Sequence, residues 1–116
     1  MSAEDVINQI EHGTVFERLM TANTSHDILR RLEESPQLAD AIKTQEVDAL
    51  LGRACEVYSR EEPAGYAHTG DLALCAYAYV LAQIAPVTAR PLLRRLAGES
   101  PQRFPAAAAV AREMLL

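Results

Sequence analysis

The stretch DLALCAYAYVLAQIA, residues 71–85, decides how the rest of the chain is read. After Asp71 it is apolar on every side except at Gln83, and a helix that is apolar all round is either buried in a core or set in a membrane. At ~1.5 Å per residue these positions reach only about 22 Å, short of the ~30 Å hydrocarbon thickness. No basic anchors flank the stretch, and Pro86 ends it. It is therefore expected to be a buried central helix, with its many alanines letting neighbouring helices approach closely. The remaining segments must then supply the wall around it.

Those segments are also helical by pattern. About half of the 116 residues are apolar, Ala and Leu dominate, and Trp is absent. Val, Ile and Thr do not cluster in alternating runs, so strand patterning is missing. Upstream, Ser2 with Asp5 and Thr14 with Glu17 have the capping-box spacing. Gly13 between them suits the left-handed turn that ends a helix. These marks predict helices over 3–12 and 15–22. Thr24 with Asp27 caps a third over 25–34, and Ser35-Pro36 starts a fourth over 36–44. Val47, Leu50, Leu51, Ala54, Cys55 and Tyr58 give an amphipathic period over 46–60. EEPAGYAHTG, residues 61–70, is the strongest breaker cluster. Downstream of Pro86, Thr88 is expected to cap a seventh helix over 89–97, with Gly98 ending it. Pro105 leaves two options: a single turn over 101–104, or a last helix that begins at Pro105.

LRRLEESPQ (29–37) and LRRLAGESPQ (93–102) differ by one substitution and one inserted Gly. Both read as a helix end, a turn and a helix start, with Leu29, Leu32, Leu93 and Leu96 facing inward. The expected architecture is a single all-α domain over 1–116. Seven to eight short helices stack as antiparallel pairs around helix 71–85, in a HEAT-like superhelix or an irregular bundle. The stretch 71–115 resembles the HEAT and armadillo class of α-helical repeats, with Asp71 and Pro101 at turn positions and Ala-rich inner helices. That resemblance implies a binding surface and no enzymatic activity.

The net charge of −5 conceals a split. Residues 1–71 carry 14 acids against 6 bases, or −8, whereas residues 72–116 carry 2 acids against 5 bases, or +3. An acidic first half makes nucleic acid an unfavoured partner. The basic C-terminal third suits a protein with an acidic patch. Arg90, Arg94, Arg95, Arg103 and Arg112 are the candidate binding edge, since Arg90 and Arg94 share a helix face and Arg suits bidentate recognition of carboxylate or phosphate. Tyr66 and Tyr58 are candidate aromatic anchors, and His68 in the 61–70 loop completes the set.

Chemistry-bearing patterns are sparse. His68, Asp71 and Cys75 fall short of a metal set, and neither cysteine has a base oriented by a third group. No Gly-rich phosphate loop is present, so no catalytic residue, metal or cofactor is expected. Cys55 and Cys75 read as buried free thiols, and the acidic opening Met1-Ser2-Ala3-Glu4-Asp5 lacks a signal-peptide pattern, so the cytoplasm is the expected compartment. The expected function is a protein-interaction module (an adaptor, inhibitor or immunity-type protein). The alternatives are an anionic-ligand or nucleic-acid binder through the same Arg edge, and a self-assembling protein associating through Met114-Leu115-Leu116.

Overall fold

The structure, a computed structural model, describes residues 2–43, 46–60, 67–99 and 103–116; of residues 67–69 and 99 only the backbone is described. Eight helices run through the described residues: α1 (Ala3–Glu11), α2 (Thr14–Met20), α3 (Ser25–Glu33), α4 (Pro36–Ile42), α5 (Val47–Ser59), α6 (Ala67–Ile84), α7 (Pro86–Glu99) and α8 (Pro105–Leu115). No strand occurs among those residues. No described helix is long and apolar enough to cross a membrane.

Helix α6 is the centre, and every other helix packs against it. Residues Ala73 to Ala78, Val80 and Leu81 are buried, and Leu74, Tyr77 and Leu81 are among the largest fully buried side chains. Small residues line this packing: Ala73, Ala76 and Ala78 of α6 and Ala107 and Ala111 of α8 are all buried in the same core cluster. Helices α7 and α8 pack most extensively on each other, and α5 and α8 pack most extensively on α6. The all-α architecture is thus an irregular bundle around one buried helix.

Several boundaries moved for identifiable reasons. Helix α6 begins at Ala67, four residues before Asp71, because Gly70 is buried in the bundle and tertiary packing outweighs the ~1 kcal/mol helix cost of a glycine. Thr14 is not a cap. Gly13 occupies that position with an extended backbone (φ −106°, ψ −153°), and Gln9 Oε1 accepts the Thr14 N–H at 3.0 Å. Gly13 is required by proximity and not by a left-handed turn: a Cβ there would stand 2.9 Å from the Gln9 Cα. Helix α7 starts at Pro86, so Pro86 both ends α6 and opens α7, leaving Thr88 inside the first turn. Gly98 lies exposed within α7, which runs on to Glu99, so this glycine does not end the helix. Helix α8 begins at Pro105, the second of the two options.

Other marks hold. Ser2 and Asp5 form the reciprocal capping box, and Thr24 accepts the Asp27 N–H at 3.1 Å. Ser35 precedes Pro36 as expected, but its hydroxyl donates to the Arg31 carbonyl at 2.7 Å, closing the end of α3 instead of capping α4. Cys75 is buried as a free thiol, whereas Cys55 is exposed. The buried stripe of α5 is Leu50, Ala54, Val57 and Tyr58, and Cys55 stands to one side of it. The second restart, Ser100-Pro101-Gln102, lies outside the described residues, as does the 61–66 part of the breaker cluster.

Candidate functional site

The five arginines of the C-terminal third do not form one free edge. Arg103 reaches the end of α5, donating through Nη2 to the carbonyls of Tyr58 at 2.8 Å and Arg60 at 2.6 Å. These are among the carbonyls that a helix C-terminus leaves unsatisfied, and a cation there also suits the dipole. Its guanidinium lies 4.9 Å from the Phe104 ring centroid, and Phe104 and Tyr58 pack with centroids 5.6 Å apart. Arg95 covers the other side of the cluster, 4.5 Å from the Tyr58 centroid. Arg112 donates to the Ala97 carbonyl at 3.2 Å, tying α8 to the end of α7. Arg95, Arg103 and Arg112 therefore work inside the fold.

Tyr58 is not an exposed anchor. It is 6% exposed and covered by Arg95. Tyr66 lies outside the described residues, and His68 is placed only by its backbone, in the first turn of α6.

Arg90 and Arg94 remain. They are exposed, one turn apart on α7, and make no ion pair among the described residues. Both border a depression of about 400 Å³ floored by Ala82, Leu93, Met114 and Leu115. Val87, on the preceding turn, is 84% exposed. Pro91 brings no N–H to the Val87 carbonyl, which therefore lacks its usual helical donor.

The chemistry of the carboxylates and thiols points elsewhere. Asp71, 4% exposed, accepts the backbone N–H groups of Ala106 at 3.0 Å and Ala107 at 2.7 Å. It caps α8 from a distance, because Phe104 in the N-cap position has no side-chain oxygen to offer. Burial, and then the Asp71 charge, push the Cys75 thiol well above its ordinary range, which disfavours the reactive thiolate form. Among the described residues no three His, Cys, Asp or Glu side chains gather to hold a metal.

One polar cluster has no local sequence signal. Arg53 on α5 grips Glu11 on α1 with Nε and Nη2, each at 2.8 Å, and reaches Glu56 with Nη1 at 2.9 Å. The Tyr77 hydroxyl of α6 donates to the same Glu11 carboxylate. Burial pushes the Glu11 carboxyl up, but hydrogen bonds from Arg53 and Tyr77 and the Arg53 and Arg60 charges outweigh it, leaving it below the ordinary range. Burial and the Glu11 hydrogen bond raise the Tyr77 phenol far above its usual range. The cluster joins residues 42 and 66 positions apart, so only the packed bundle assembles it. It borders a cavity of about 260 Å³ that also touches His12, Phe16 and Arg60. With both carboxylate oxygens of Glu11 engaged internally, the arrangement is a brace between α1, α5 and α6.

Comparison with known protein families, with curated proteins and with solved structures finds no match.

Proposed function

We propose that the protein is a small protein-interaction module, an adaptor, inhibitor or immunity-type protein, that docks an acidic partner surface on Arg90 and Arg94. The observation that carries this reading is the pairing of two uncommitted, exposed guanidinium groups with an apolar depression, in a molecule that uses its other C-terminal arginines internally. Arg and Met are enriched where proteins meet, and an apolar floor with a charged rim is the usual anatomy of such a contact. The net charge of −5 opposes a broad nucleic-acid footprint. A free exposed thiol at Cys55 and a free buried one at Cys75 suit a reducing cytoplasm.

The test is affinity capture from host lysate at physiological salt, with nuclease added, comparing the wild type with Arg90→Glu/Arg94→Glu. Both side chains are exposed, so the variant keeps the fold, which circular dichroism verifies. A stoichiometric protein retained by the wild type and lost by the variant is the expected result. Retention by both overturns the surface assignment. Capture that nuclease removes points to nucleic acid instead.

A further inference from the structure

The Arg-lined depression is half of a longer groove. A second depression, of about 380 Å³, lies beside it and shares Ala82 and Met114 with the first. Its floor adds Leu29 of α3 and Tyr79 of α6, and its rim carries Glu33 and Glu113. Both carboxylates are exposed, and neither makes an ion pair among the described residues. The groove therefore runs from a basic end at Arg90 and Arg94, across an apolar middle, to an acidic end at Glu33 and Glu113.

We infer that this groove seats one amphipathic helix of a partner protein, carrying acidic residues at one end of its apolar stripe and basic residues at the other. The inference rests on the interaction-module reading and names the partner's docking element. Charge complementarity sets the two ends. The helical form follows from the backbone of the walls. The groove is built from helices, whose backbone groups are satisfied within each helix apart from single positions such as the Val87 carbonyl opposite Pro91, so it offers no ladder to an extended strand. A helix satisfies its own backbone and needs only a stripe of side chains to fill the floor. Met114, flexible and half-buried, adapts to those side chains. A second copy using this face would bring a groove against a groove, leaving the floor unfilled.

The experiment uses three synthetic helical peptides of about 18 residues, long enough to hold helix in solution. All share one Leu stripe. The first has Glu in its first turn and Lys in its last, the second has Glu at both ends, and the third has Lys at both. Titrated against the full chain, the bipolar peptide should bind roughly three- to tenfold tighter than either other. Glu33→Lys/Glu113→Lys should reverse the order, making the peptide with Glu at both ends the tightest. Equal binding of all three peptides, no binding, or an order unchanged in the double variant overturns the inference. So does a dimer in sedimentation that Arg90→Glu/Arg94→Glu dissolves, which would give the groove to a second copy. If the peptide with Glu at both ends matches the bipolar one and only the Arg variant weakens it, the acidic-partner reading stands and the two-ended groove falls. If the Arg variant changes neither peptide binding nor lysate capture, both fall.

Discussion

Glu11 shows how one side chain acquires a role that its neighbours in sequence do not suggest. It ends α1, is 8% exposed at its side chain, and is held by Arg53 and Tyr77. Removing its charge leaves a half-buried guanidinium without its bidentate partner. Glu11→Gln should therefore destabilise the fold by about 2–4 kcal/mol. Because the folded carboxyl sits below the unfolded value, its contribution is present above the ordinary Glu range and fades as pH falls through the folded value. Urea midpoints measured from pH 7 down to pH 3 should decline in the wild type, and the gap to Glu11→Gln should narrow toward pH 3. A constant gap would mean that the carboxylate charge is not what braces α1 to α5.

The duplicated LRRL motif makes the same point at paired positions. Asp27 stands three residues before Arg30 and four before Arg31, and it takes both, at 2.7 and 3.3 Å. In the second copy Pro91 holds that place before Arg94 and Arg95. Arg95 lies over the Tyr58 ring, and Arg94 stays on the rim of the groove. The same four residues thus end as a neutralised surface in α3 and as a candidate docking surface in α7.

Elements in this fold are completed by one another. Helix α8 has a proline at its first position and a phenylalanine at its cap, and its leading N–H groups are satisfied by Asp71 of α6. Asp71→Ala should cost about 1–3 kcal/mol, and Asp71→Asn less, since an amide oxygen still accepts one bond. Thermal unfolding of the two variants measures this, and equal losses would show that the contact contributes by packing alone. The reverse experiment applies to α5. Gly52 is exposed in mid-helix, and a Cβ there meets nothing within 4 Å. Gly52→Ala should raise stability by about 0.5–1 kcal/mol through helix propensity and a less free unfolded chain. A lower melting temperature would mean that the glycine has a role beyond its backbone. Gly13→Ala should do the opposite, because its Cβ would stand against the backbone of Gln9.

At the scale of the whole molecule, α6 touches all seven other helices, so no part of the described bundle keeps its core without it. Leu81 is fully buried there. Leu81→Ala should cost about 2–5 kcal/mol and shift far-ultraviolet circular dichroism and tyrosine fluorescence together, as one cooperative transition. Separate transitions would reveal α1–α4 unfolding independently of α5–α8. The charge split has its outlet at this scale as well. Arg53, Arg103 and Arg112 are bound within the fold, while Arg90 and Arg94 at one end and Glu33 and Glu113 at the other border one surface groove.

The all-α class, the buried central helix and most helix starts were legible because they depend on local chemistry: apolar periodicity, Ser2 and Thr24 as caps, and proline at first positions. The i, i+4 spacing of Arg90 and Arg94 likewise placed them on one face. Tertiary structure alone decided the rest. Whether Gly70 breaks a helix depends on what packs around it, and whether an arginine is free depends on which carbonyl or ring lies within its reach. Asp71 meets α8 across 35 residues, and Glu11 meets Tyr77 across 66. Periodicity along one helix carries no information about such partners, because the packing of several helices against α6 determines which side chains meet.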